Sequence, residues 1–225
     1  MATRKQVLSA APEKQAYLLR IELRDLKPAI WREVRVDPRT TLRKLHAIVQ
    51  AAMGWEDAHL YGFAIPGRGR ASRYWGVPAH QRFEPRQPDD FMGFGDRSNN
   101  DARTRLDQVL QATGDKLLYL YDYGDDWEHL ITLKKLITTS EPLPLLVHAA
   151  HGCPPEDCGG VGGFLHLAEV LSDPDDPEHE DMHEFIDEIK GPGWRPGPLA
   201  SDDFDDLAAA VAGLQPRARS VRGIG

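Results

Sequence analysis

Cysteine is scarce in this chain, with two thiols, Cys153 and Cys158, in 225 residues. That excludes a disulfide-built scaffold and obliges any metal site to recruit histidine or carboxylate as well. No apolar run approaches the length needed to cross a bilayer, so no membrane partner is expected. The opening MATRKQVLSAAPEKQ carries two early cations with no continuous apolar segment behind them. A secretory leader is therefore not expected, and the cytoplasm is the expected location. No internal repeat is present. Positive charge is outnumbered, with 27 Lys and Arg against 35 acids for a net −8, and it is unevenly spread. Residues 66–105 hold eight arginines against five acids, whereas residues 150–206 hold sixteen acids against two cations, Lys190 and Arg195. The last residues, PRARSVRGIG, are basic again. Nucleic-acid binding usually needs a concentrated positive face, and here only an arginine-bearing loop and a tail offer one. A protein partner is the more natural expectation than DNA.

What is present is a core-forming composition, 41% hydrophobic and 28% charged, organised around KLLYLYDYGDDWEHLITLKKLI at 116–137. Two runs rich in Leu, Ile, Tyr and Thr flank a tip in which Gly124 can take the positive φ of a tight turn. In the first run Leu118 and Leu120 point one way and Leu117, Tyr119, Tyr121 and Tyr123 the other. In the second, His129, Ile131, Leu133 and Ile137 share one face, with Leu130, Thr132 and Leu136 opposite. This is a hairpin with aspartates, a tryptophan and a histidine at its tip.

In chain order, residues 1–15 read as a disordered tail, 17–24 as a strand and 30–36 as a second, with Pro38 blocking its continuation. Thr40 or Thr41 caps a helix bearing Leu42, Leu45, Val49, Ala52 and Met53, and Gly54 ends it. Residues 59–65 give a third strand. Strand, strand, helix, strand makes a mixed module with a ubiquitin-like grasp outline, whose sheet the hairpin would extend. Residues 66–104 read as long and irregular, and 105–110 as a short helix. Pro142 and Pro144 open a second irregular stretch. A helix follows at 164–171. Another is capped by Asp176 with Pro177 at its first position and a buried stripe of Met182, Phe185, Ile186 and Ile189. The last runs over 204–214. The expectation is an α+β fold in one domain, 16–214, divided into a sheet part (16–137) and a loop and helical part (138–214), with a basic tail at 215–225.

Three clusters carry candidate chemistry. Cys153 and Cys158 in HAAHGCPPEDCGG, with His148 and His151 just upstream, supply the nitrogen and sulfur that zinc favours. The simpler reading, a tight loop with small buried thiols, is preferred, and a redox pair is the third. His179-Glu-Asp-Met-His183 matches H-E-x-x-H on a helix, the spacing that puts two imidazoles on one face in zinc peptidases. No third ligand is evident beyond acids such as Asp202 or Asp205, so a coincidental match is preferred. At the hairpin tip, Asp122, Asp125, Asp126, Trp127, Glu128 and His129 could present a cation or acid–base site together with Glu156 and Asp157 of the cysteine loop. The alternative is that Asp122 and Asp125 satisfy turn amides while Trp127 plugs the core. His46 and His59 read as structural. GGVGG before Phe164 offers helix-start amides to an anion but lacks a P-loop lysine.

The strings IWREVRV, LRKLHAIVQAAMGWEDAHLYGFAI, LLYLYDYGDDWEH and CPPEDCGG, in that order, resemble the plasmid pRiA4b ORF-3-like family, also labelled as TnpR-type passenger proteins of insertion elements. The likeness extends over roughly 17–207 and takes in DPDDPEHEDM and DDFD. Departures are small: Tyr123 stands where the family often has Phe, and Gly162 where a bulkier residue is common. The resemblance implies an α+β fold and no defined chemistry. The expected function is a non-enzymatic binding or interaction protein of plasmid or mobile-element origin, acting on a protein partner. A metal-dependent hydrolase using the hairpin acids and the Cys/His loop is the alternative, and a DNA-associated regulator the next.

Overall fold

The computed structural model describes residues 12–67, 79–85, 99–191 and 194–216. One eight-stranded sheet carries the fold: β1 (Lys14–Leu23), β2 (Trp31–Val36), β3 (Tyr61–Pro66), β4 (Ala79–Glu84), β5 (Asn99–Asn100), β6 (Lys116–Tyr121), β7 (Trp127–Thr139) and β8 (Leu145–Ala150). Its order is β5-β4-β3-β6-β7-β1-β2-β8, antiparallel throughout except for the β4–β5 pair. Among the described residues five helices join it: α1 (Leu42–Met53), α2 (Leu106–Val109), α3 (Gly160–Ser172), α4 (His179–Lys190) and α5 (Ser201–Gly213). The expected α+β class is what the structure shows. Among the described residues no helix is long and apolar enough to span a membrane.

Alternation decides which face each strand buries. Tyr17, Leu19, Ile21 and Leu23 of β1 share one cluster with Leu117, Tyr119 and Tyr121 of β6 and with Trp127, Ile131 and Leu133 of β7. The helices supply Leu42, Leu45, Val49, Leu106, Phe164, Leu167, Ile186 and Val211 to the same cluster. On the reverse face Ala64, Leu118 and Leu120 form a small second cluster with Leu130 against it. From Leu117 to Leu133, leaving out the turn, the hairpin's two faces fall as the sequence pattern predicts, while Tyr123 is 38% exposed and outside the core cluster. Helix α1 starts where Thr41 accepts a hydrogen bond from the Lys44 amide, and stops at Gly54, whose φ of 77° is left-handed.

Several expectations are corrected. The grasp outline does not carry over, because β3 pairs with β6 and the hairpin lies between β3 and β1, at the centre of the sheet and not at its end. β4 and β5 lie within the stretch read as irregular, and β8 follows Pro144 where no strand is expected. These are edge or near-edge strands, in which turn-rich composition hides short ladders. Ile137 does not share a face with His129. The β1–β7 register skips Lys134, since Leu19 faces Leu133 and Leu18 faces Lys135, so residues beyond the bulge change sides. Helix α4 begins at His179, while Asp176 accepts the Glu178 amide in the turn before it. Its stripe is also only partly buried: Ile186 is enclosed, but Phe185 is 38% and Ile189 44% exposed.

Candidate functional site

Three segments meet at one end of the sheet: the β6–β7 tip, the α1–β3 connection and the loop holding CPPEDC. Register brings the first two together. Tyr61 pairs with Tyr121, and the Asp122 amide donates to the Leu60 carbonyl at 2.9 Å, which sets His59 beside the tip. The CPPEDC loop is fastened by side chains. Trp55 Nε1 donates to the Pro154 carbonyl at 2.9 Å, and the Glu56 amide donates to Glu156 at 2.7 Å. Tyr121 donates its hydroxyl to the other Glu156 oxygen and accepts from the Ala58 amide at 2.9 Å. Below them His46 bridges the Tyr119 hydroxyl (2.8 Å) and Asp57 (2.7 Å), while Gln50 binds both Tyr119 and the Asp57 amide. That network fixes the connection bearing His59, and it satisfies every partner of His46.

The tip aspartates divide their work. Asp122, in left-handed conformation at φ 58°, accepts the Gly124 amide at 2.8 Å through Oδ1. Its Oδ2 lies 3.7 Å from His59 Nδ1. Asp125 reaches across to the cysteine loop and accepts the Gly159 amide at 3.2 Å. Asp125 therefore sits at the positive end of α3, where the first amide of GGVGG, that of Gly159, is met by the chain's own carboxylate. Contact there is close enough to require glycine: a Cβ on Gly160 would lie 2.3 Å from the Asp125 carbonyl oxygen, and one on Gly163 1.8 Å from that of Cys158. Asp126 is largely exposed, and partial desolvation of its carboxyl, with the charges of Asp122 and Asp125 beside it, pushes that carboxyl upward. Trp127 is fully buried. His129 is fully buried too, its Nδ1 donating to the Trp127 carbonyl at 3.0 Å. Burial pushes its pKa down to about 3, so it stays neutral and faces the core, apart from the tip acids.

The convergence that matters is His59, Asp122 and Asp157. One ligand atom from each lies within 4.8 Å of the others, and His59 Nε2 is 3.2 Å from Asp157 Oδ1. His59 Nε2 is buried and has no hydrogen-bond partner, because the ring N–H direction misses that carboxylate. An imidazole and two carboxylates at such separations can share a divalent cation, and this is the one such group among the described residues. Sequence reasoning nominated Asp122 and Asp157 but read His59 as structural. The missing signal is the β3–β6 register.

The cysteine set is not assembled in this way. Cys153 is buried and Cys158 half-buried, and burial pushes both thiols up to about 12. His148 is exposed on β8, while the His151 carbonyl accepts from the buried guanidinium of Arg32. On α4, His179 donates through Nδ1 to the Val170 carbonyl at 3.0 Å, and His183 meets Arg195 and Asp187. No third ligand joins that pair among the described residues.

Comparison with known proteins places this architecture. The chain is 32% identical over 198 residues to the uncharacterized protein y4hQ of Sinorhizobium fredii, covering 87% of each chain. The crystal structure of a protein of unknown function, MM3350 from Methanosarcina mazei Go1, superposes with a TM-score of 0.68 at 26% identity. That superposition covers 84% of this chain and 97% of the other. Residues 15–203 match the family described as plasmid pRiA4b ORF-3-like protein, and to that family the chain belongs.

Proposed function

We infer that this protein is a binding protein without a self-contained catalytic centre, and that it holds a divalent cation between His59, Asp122 and Asp157. The approach of those three ligand atoms to within 4.8 Å of one another supports the reading. An imidazole nitrogen with two carboxylates suits zinc or manganese better than calcium or magnesium. Three protein ligands would leave coordination positions for an anionic group of a partner. The cation would also tie the CPPEDC loop to the hairpin, adding to the Tyr121–Glu156 bond. Chelator-treated protein titrated calorimetrically with zinc and with manganese tests it. Binding of one equivalent, lost in His59→Ala and retained in Cys153→Ser/Cys158→Ser, is expected. No binding, or loss in the cysteine variant alone, overturns it.

A hydrolytic use of the same cation is the second reading, favoured by the raised carboxyl of Asp126 beside the cluster. Turnover of ester or phosphoester substrates that disappears in Asp126→Ala would establish it. The remaining proposals are a place in plasmid or insertion-element biology, a cytoplasmic location and a protein partner in preference to DNA. The net charge of −8 supports the last of these.

A further inference from the structure

Helix α4 carries two apolar ridges and buries one. Ile186 enters the core with Met182 packed against it, whereas Phe185 and Ile189 stay 38% and 44% exposed one turn apart on the outer side. A single exposed apolar side chain would mean little. Here Met182 and Phe185 join Leu167 and Cys158 in lining a cavity of 440 Å³ between α3 and α4, and Ile189 lies one helical turn beyond Phe185. The rim is acidic, with Asp157, Glu178 and Asp181 around the opening. Among the described residues the imidazole of His166 lies 3.1 Å from Glu178, and no Lys or Arg is paired with Glu178 or Asp181.

An apolar floor within a carboxylate rim is the complement of a basic amphipathic helix, which sets side chains at i and i+4 into a groove and Lys or Arg along its edges. The same charge repels nucleic acid, and it repels the matching face of a second copy. We propose that the α3–α4 groove docks a basic amphipathic segment of a partner protein, through apolar anchors over Met182 and Phe185 and cations against Glu178 and Asp181. This goes beyond the cation reading, with which it shares Asp157 on the rim, and stands without it, because the anchors and cations it needs fall on Met182, Phe185, Glu178 and Asp181.

The test uses the full chain and a synthetic 15-residue helical peptide with leucines four residues apart and lysines or arginines elsewhere, followed by calorimetry at low and high salt. Expected is binding that weakens with salt but persists, and that falls at least about tenfold in Phe185→Ala/Ile189→Ala, as for removal of interface anchors. Asp202→Asn/Asp203→Asn, which changes charge on α5, should leave affinity unchanged. Three results would overturn the proposal. A scrambled peptide of equal charge binding as tightly would reduce the effect to net charge. A dimer in sedimentation that dissociates in Phe185→Ala/Ile189→Ala would mean a second copy covers the face. Binding seen only after residues 217–225 are removed would give the groove to the chain's own basic tail. Because Phe185 and Ile189 are exposed, their loss leaves the fold intact, and a circular dichroism melt confirms this.

Discussion

Two histidine settings in this molecule run opposite to their sequence signatures. On α4, His179 and His183 form a literal H-E-x-x-H, yet one is spent on the Val170 carbonyl and the other on Arg195 and Asp187. At the other end of the cysteine loop, His59 belongs to no motif, yet it meets Asp122 and Asp157 from two other segments. Helical spacing guarantees that two side chains share a face, and nothing more. A site needs a further ligand from elsewhere in the fold, which strand register and loop fastening provide. The junction has both. The helix has neither.

The sharpest way to break this comparison is to push apart the segments that form the junction. Gly163→Ala places a methyl 1.8 Å from the Cys158 carbonyl, and Gly160→Ala places one 2.3 Å from that of Asp125 at a φ of 66°. Each should cost about 4 kcal/mol or more, the range reserved for forced backbone movement. Gly162, in the same run, has nothing within 4 Å of the added carbon. Gly162→Ala should be neutral or gain up to about 1 kcal/mol from helix propensity. Urea unfolding of the three variants separates close contact from composition, and equal effects would refute the packing account.

Next in size is the cation. His59→Ala and Asp122→Asn should each weaken zinc or manganese binding by about 100-fold or more, since direct ligands matter at least as much as the groups that orient them. His179→Ala and His183→Ala should leave the affinity unchanged. The reverse pattern in calorimetry would restore the motif and dismiss the junction.

How much of this was legible follows the same divide. Local signals were readable: the faces of the hairpin, the Thr41 and Gly54 boundaries of α1 and the α+β class come from alternation, capping and a left-handed glycine. What needed three dimensions was not. The hairpin's central place depends on β6 choosing β3 as its neighbour, and a bulge at Lys134 undoes simple alternation for Ile137. β8 was hidden behind Pro144, and the outward ridge of α4 cannot be told from a buried one by periodicity. Within the site, the aspartates stand out in the sequence as a cluster, whereas nothing local marks His59, whose partners lie 63 and 98 positions away.

The smallest effect distinguishes histidines by their protons. His129 is enclosed in the core, and burial holds its pKa at about 3; burial also lowers His46. In the unfolded chain both titrate near the ordinary value of about 6.5, so between these limits the unfolded state binds more protons than the native one. Stability therefore rises with pH through that window and is lost as pH falls below about 6.5. From pH 7 to 5.5 the share of His129 alone should be roughly 1 kcal/mol, and His46 adds in the same direction. The variant His129→Gln removes the titration while keeping a polar side chain. Its unfolding free energy, measured by urea at both pH values, should fall by that much less than the wild type's. An unchanged difference would mean that His129 charges in the native state, and that the core around Trp127 admits water.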